Sequence, residues 1–164
     1  MTNAHHSAET IADSFASRAL HPLVERPSRY ADCELNLASP GWGEGRFNVL
    51  LVFPDAYEIG ASHQGIRFLY HRLAAMPGVG VEFAFAPWPD AERLMRATGE
   101  PLRSLATLTP ARRFDLIGFS VMYELHYTNI LAMLDLAGLD LEASRRGERD
   151  PIVVAGGACC VAER

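Results

Sequence analysis

Between residues 47 and 155, short apolar segments alternate with segments of helical periodicity, and this alternation restricts the fold more than any other feature. The first apolar segment, Phe47–Phe53, is a run typical of a strand buried on both faces. The next segment, Gly65–Met76, has apolar residues at helical spacing and is closed by Pro77 and Gly78. Further strands are predicted at Val81–Ala86, Phe114–Ser120 and Pro151–Ala155, and further helices at Pro89–Thr98 and Tyr127–Ala137.

This alternation predicts an α/β fold with a mostly parallel sheet, right-handed crossovers and helices on both faces. Within that class we expect the doubly wound, flavodoxin-like or Rossmann-like strand order. Ligands of such sheets bind outside the carboxyl ends of the strands, where the strand order reverses. Only the tail ACCVAER follows Gly156 and Gly157. We therefore expect the domain to be incomplete at its C-terminus and the last strand to form an open edge.

The composition describes a globular chain with one core. Of its 164 residues, 49% are hydrophobic and 21% are charged. Residues 1–46 are predicted to form a helix, Ala8–Leu20, and a connecting loop, and residues 47–164 the α/β domain. The net charge of −5 argues against direct binding of nucleic acid. An odd number of cysteines, no candidate membrane span and no secretory signal together favour a cytoplasmic location without a membrane partner.

Polar and glycine residues follow the predicted strands at the end where a ligand would meet the sheet. Glycine allows a ligand to approach the backbone closely, although each glycine taken singly serves a tight turn equally well. The predicted contact residues are Asp55, Tyr57, Gly60, Ser120, Met122, Gly156 and Gly157. His63, His126 and Trp88 lie near the same edge, where a loop histidine, a helix start and a core cover are simpler interpretations.

These positions resemble the motifs of cobalamin-binding domains, which carry Asp-x-His-x-x-Gly, Ser-x-Leu and Gly-Gly after the first, third and fourth strands. The loop Asp55–Gly60 has the first spacing with Tyr57 in place of His, and Met122 stands in place of Leu. Longer phrases closely resemble the N-terminal B12-binding-like module of B12-binding-domain radical S-adenosylmethionine (SAM) proteins, over residues 20–160. They include FPDAYEIGASHQGIRFLY, FDLIGFSVMYELHYTNILAMLDLAGL and PIVVAGGAC.

The resemblance implies a cobalamin-type module placed ahead of a radical SAM barrel in the same protein. The loop Asp55–Gly60 would lie beneath a corrinoid, Ser120 would bond its nucleotide tail, and Gly156 with Gly157 would let that tail pass. Because Tyr57 replaces His, this motif offers no imidazole to cobalt. On this hypothesis, Gly157→Leu abolishes corrinoid binding and leaves the fold nearly unchanged.

The radical reaction requires Cys-x-x-x-Cys-x-x-Cys, whose three thiolates hold a [4Fe–4S] cluster while the fourth iron binds SAM. Cys33, Cys159 and Cys160 do not have this spacing, so we expect the cluster and SAM in a C-terminal part that the chain lacks. We expect no catalytic residue and no metal ligand in the chain itself. Two hypotheses remain: a radical SAM module that holds a corrinoid or docks on the barrel, or a self-standing, non-catalytic α/β scaffold or binding protein without corrinoid.

Overall fold

The computed structural model describes residues 23–30 and 41–162, with side chains as far as residue 160. The helix predicted at Ala8–Leu20 and the thiol of Cys33 lie outside the described residues. Within them, the chain forms four strands, which are β1 (Phe47–Phe53), β2 (Val79–Phe85), β3 (Leu116–Ser120) and β4 (Ile152–Gly156). Each corresponds to a predicted strand, with differences only at the ends.

Helices connect the strands as the alternation predicted. The described α-helices are α1 (Tyr57–Gly60), α2 (Gln64–Ala74), α3 (Pro89–Thr98), α4 (Leu125–Leu136) and α5 (Ala158–Ala162). Short 3₁₀ turns lie at Pro27–Tyr30, Ala111–Arg113 and Ala143–Arg145. Helix α3 has the predicted bounds because Pro89 is well placed in a first turn and Gly99 ends the helix at φ 72°.

All neighbouring strands are parallel, in the order β2-β1-β3-β4. The β1–β2 register runs from Phe47 opposite Val79 to Phe53 opposite Phe85. The chain moves from β1 outward to β2 and then returns past β1 to β3, so the strand order reverses at the carboxyl ends of β1 and β3. The predicted α/β, flavodoxin-like sheet is thus confirmed.

The sheet carries a core on each face because successive residues of β1 point in opposite directions. One core contains alternate residues of β1 and the inner side of α2, which are Val49, Leu51, Phe53, Ile66 and Tyr70. The other contains the intervening residues of β1 and the inner side of α4, among them Leu50, Val52, Met133 and Leu134. The double burial of β1 explains why Val49–Phe53 are all apolar.

The two edges of the sheet differ. The outer edge of β2 is covered, because Leu105 N donates a hydrogen bond of 2.8 Å to Phe83 O. By contrast, β4 pairs with β3 alone among the described residues, and its side chains Ile152 and Val154 are 59% and 44% exposed. In the described part of the chain, no helix is long and apolar enough to cross a membrane.

Candidate functional site

Three of the predicted contact residues lie close together where β3 and β4 end, namely Ser120, Gly156 and Gly157. Ser120 lies opposite Gly156 in the parallel register, and Val121 N donates a 2.7 Å hydrogen bond to Gly156 O. The Ser120 side chain is half-buried and forms no hydrogen bond with the described residues. A Cβ added to Gly156 would meet nothing within 4 Å. A free hydroxyl and an open glycine therefore stand side by side at this edge.

Gly157 has a different role from its neighbour. Its φ is 137°, and an added Cβ would lie 2.2 Å from the carbonyl oxygen of Val121. The space beside this glycine is therefore filled by the protein's own backbone and is not a passage for a ligand. For the same reason, the expectation that Gly157→Leu preserves the fold is physically unsound, since the new side chain would clash with backbone.

Asp55 is held rigidly above the end of β1. Its backbone N donates to Phe53 O at 2.9 Å, its backbone O accepts from Ala86 N at 3.0 Å, and its Oδ1 accepts from Ala56 N at 2.7 Å. The other carboxylate oxygen, Oδ2, accepts a hydrogen bond from the Tyr123 hydroxyl. This bond to the carboxylate raises the pKa of Tyr123 to about 12, because the bond favours the protonated phenol.

His126 lies fully buried beneath this pair. Its Nδ1 is 3.3 Å from both Met122 N and Ser120 O, and its Nε2 is 3.9 Å from Asp55 Oδ2. Burial lowers the pKa of His126, so the neutral ring predominates near pH 7. We assign the Nε2–H tautomer, because Nδ1 then accepts from Met122 N and the Nε2 proton faces the carboxylate. Nε2 itself has no hydrogen-bond partner in the described structure.

Tyr57 and Gly60 lie on the other side of the β1 end, next to β2. The Tyr57 ring meets the Phe85 ring edge-on at 5.2 Å between centroids. A Cβ on Gly60 would lie 2.6 Å from Phe85 and 2.8 Å from Phe53, so this glycine is required for packing under helix α1. The seven predicted residues thus divide into two groups, one toward β3 and β4 and one toward β2.

Whether a corrinoid fits this edge depends partly on which side chains could coordinate its cobalt. Tyr57 offers a phenol where cobalamin domains offer imidazole. His63 accepts a hydrogen bond from Ile66 N through Nδ1, so we assign the Nε2–H tautomer, in which Nε2 offers no lone pair to cobalt. His126 is enclosed by Phe53 and Tyr123. Within the described residues, no group of three or more potential ligands could hold a metal ion. The edge fits a corrinoid only if the protein leaves its cobalt uncoordinated.

Two buried charged residues were missed at the sequence level. Glu82 inside β2 accepts hydrogen bonds from Trp42 N at 2.6 Å and from the backbone and hydroxyl of Thr107, both at 3.1 Å. Arg29 packs on the Trp88 ring, with Cζ 4.1 Å from the ring centroid. An acid inside an apolar strand was a signal for Glu82. No sequence signal pointed to Arg29, whose partner lies far along the chain.

The parallel sheet, its order and the polar groups at its carboxyl edge define a doubly wound α/β module of the type that binds ligands or partners at that edge. Residues 65–164, more than half of the chain, match the family described as "Radical SAM proteins, N-terminal". The chain belongs to this family. No curated protein and no solved structure matches it.

Proposed function

We propose that this chain is the N-terminal module of a radical SAM protein and that the catalytic domain of the same protein covers its β4 side. Family membership implies such a catalytic domain, with a [4Fe–4S] cluster and SAM. The observation that carries the proposal is the uncovered face of the sheet formed by Ile152 and Val154, hereafter the β4 face. Ile152 and Val154 are about half exposed although they are strand residues.

The β4 face combines two features that isolated domains avoid. It exposes branched apolar side chains next to each other, and the adjoining edge of β4 presents backbone groups that pair with nothing else in the described chain. Exposed apolar patches and free strand edges mark surfaces for association. Helix α2 covers the same side of the sheet only over β1 and β2. A neighbouring body of the same protein would bury both features at once.

Hydrogen exchange tests this proposal in the protein that the complete gene encodes. We expect the β4 amides to exchange at least about tenfold more slowly there than in the 164-residue chain, because covered strand edges open rarely. Val154→Asp should lower the stability of the complete protein by about 2–4 kcal/mol, and that of the 164-residue chain by less than about 1 kcal/mol.

Leu131→Asp is the matched control, because Leu131 is 48% exposed on helix α4, on the opposite side of the sheet. It should cost less than about 1 kcal/mol in either protein. Equal exchange of β4 in the two proteins would contradict the proposal. That result would favour the second hypothesis, a self-standing scaffold or binding protein.

A second function, corrinoid binding at the same edge, is favoured by the Ser120 hydroxyl beside the open Gly156. We propose that Ser120 and the Gly156 backbone bond the nucleotide tail, with Asp55 and Met122 beside it and no side chain on cobalt. A corrinoid supplies radical or group-transfer chemistry when bound. The residues of this chain would only hold and orient it.

Binding of hydroxocobalamin, followed by equilibrium dialysis and visible absorbance, tests this second function. Gly156→Leu should weaken binding by about tenfold or more, because it fills the open space. Gly147→Leu is the matched control, since an added Cβ there also meets nothing within 4 Å. Gly147 precedes the amino end of β4, away from the carboxyl end where Gly156 lies. Absence of binding by the unmodified chain, or equal binding by both variants, would refute corrinoid binding at this edge.

A further inference from the structure

A cavity of about 80 Å³ lies beyond the carboxyl ends of β1 and β2, apart from the Ser120–Gly156 pair. We call it the Trp88 cavity. Its walls come from the residues that follow β2, from helix α3, from the loop before β3 and from the 3₁₀ turn Pro27–Tyr30. Most of the lining is apolar, including Ala84, Ala91, Leu94 and Met95. Such a space suits the apolar part of a small molecule.

A buried guanidinium forms the polar end of the cavity. The Arg29 side chain is only 8% exposed. Its Nε donates a 2.7 Å hydrogen bond to Glu58 Oε1, and this bond lowers the pKa of the Glu58 carboxyl. The two terminal nitrogens of Arg29 donate no hydrogen bond within the described residues. Within the described residues, neither nitrogen is among the buried atoms that lack a partner, so both remain accessible to a ligand in the cavity that Arg29 lines.

The other polar groups near the cavity already have partners. Glu100 Oε1 accepts from Arg103 Nε at 2.5 Å, so that acid and that base satisfy each other. The Tyr30 hydroxyl accepts from Trp88 N at 3.2 Å and keeps its own proton for donation. Asp90 lies nearby and accepts from Glu25 N at 2.9 Å. The polar groups of the lining that remain available to a ligand are therefore donors, namely the terminal nitrogens of Arg29 and the hydroxyl proton of Tyr30.

We propose that the Trp88 cavity binds a small amphipathic carboxylate. The carboxylate would accept two hydrogen bonds from the terminal nitrogens of Arg29, while the Trp88 ring holds the guanidinium plane in place. The aliphatic part would fill the space between Tyr57 and helix α3. The volume limits the buried part to a short, branched or straight chain. This site goes beyond the docking and corrinoid functions and does not depend on either.

The test uses the 164-residue chain and a pair of probes that differ only in charge, 3-methylbutanoate and 3-methylbutanamide. Each is titrated to roughly 20 mM, which covers the weak affinity expected of so small a ligand. Amide chemical shifts and the Trp88 indole signal report binding. We expect the acid to shift the signals of residues 84–91, and the amide to bind about tenfold more weakly or not at all.

Two variants separate the role of Arg29 from charge in general. Arg29→Met should reduce binding of the acid by about tenfold or more. Arg26→Met is the matched control, because Arg26 also pairs with Glu58, at 3.5 Å, but is 66% exposed and does not line the cavity. Equal binding of acid and amide, shifts confined to other residues, or no shifts at all in the unmodified chain would overturn the proposal even if Arg29→Met failed to fold.

Discussion

The buried His126 makes the stability of this protein depend on pH in a way that one substitution should remove. Burial lowers the pKa of His126 in the folded state, with the Ser120 carbonyl and Asp55 opposing that shift and His63 adding to it. A histidine in an unfolded chain titrates near pH 6.5. Between that value and the lower folded one, the unfolded chain binds a proton that the folded chain does not. Stability therefore falls as the pH falls through this window.

The size of the effect follows from linkage. From pH 7.5 to 5.5, a single histidine that stays neutral when folded and has a pKa of about 6.5 when unfolded costs at most about 1.4 kcal/mol of stability. His126→Asn should remove this contribution. The Asn side chain can still accept from Met122 N in place of Nδ1, whereas the unpartnered Nε2 is lost. The void that remains should cost about 1–3 kcal/mol at all pH values.

Urea unfolding at pH 5.5, 6.5 and 7.5, followed by far-UV circular dichroism, measures this difference. His71→Asn is the matched control, because His71 is exposed on helix α2. The unmodified protein and His71→Asn should lose similar amounts of stability on acidification, and His126→Asn should lose up to about 1.4 kcal/mol less. An unchanged pH dependence in His126→Asn would refute the assignment of a neutral buried ring.

Three further substitutions test the packing and the hydrogen bonds of the fold. Glu82→Ala should cost about 2–4 kcal/mol in urea unfolding, because Trp42 N and the Thr107 donors lose their acceptor; no loss would mean that these groups find water. Gly60→Ala should cost about 1–3 kcal/mol by clashing with Phe85, whereas Gly147→Ala should change stability by less than about 0.5 kcal/mol. Tyr123→Phe should remove the tyrosinate absorbance step near pH 12. Because the pKa of Tyr123 is raised in the folded state, the unmodified protein loses stability as the pH rises from about 10, and Tyr123→Phe should lose less.

Strand and helix positions could be predicted where local chemistry alone decides them. From Asn48 to Phe53 the strand β1 is buried, and the apolar run ends where Pro54 and Asp55 begin, so the end of the strand coincides with a change in hydrophobicity. Other limits depend on partners that the sequence does not reveal. Strand β2 begins at Val79 and not at Val81, because Phe47 of the central strand pairs with Val79. Phe114 is buried but follows a 3₁₀ turn, so β3 begins only at Leu116.

The position of the candidate site could be predicted from the sequence. The division of its residues between the β3 side and the β2 side of the edge could not. The chain order places Asp55, Ser120 and Gly156 at strand ends, and parallel pairing brings those ends to one edge. The directions of side chains after β1 depend on the single turn of α1, which turns Tyr57 toward Phe85. The motif spacing contains no information about that turn. Arg29 illustrates the same limit, since only the folded chain brings it onto Trp88.

The division of the carboxyl edge has a consequence for the position where cobalamin domains carry histidine. On the β3 side, Asp55 is bonded to Tyr123 and the space beside Gly157 is occupied by the Val121 carbonyl. On the β2 side, Tyr57 contributes to the wall of the Trp88 cavity. An imidazole introduced at residue 57 would therefore enter that cavity's wall and not the space above Ser120. Tyr57→His alone would therefore not place an imidazole above Ser120, because the local backbone directs residue 57 to a different part of the edge.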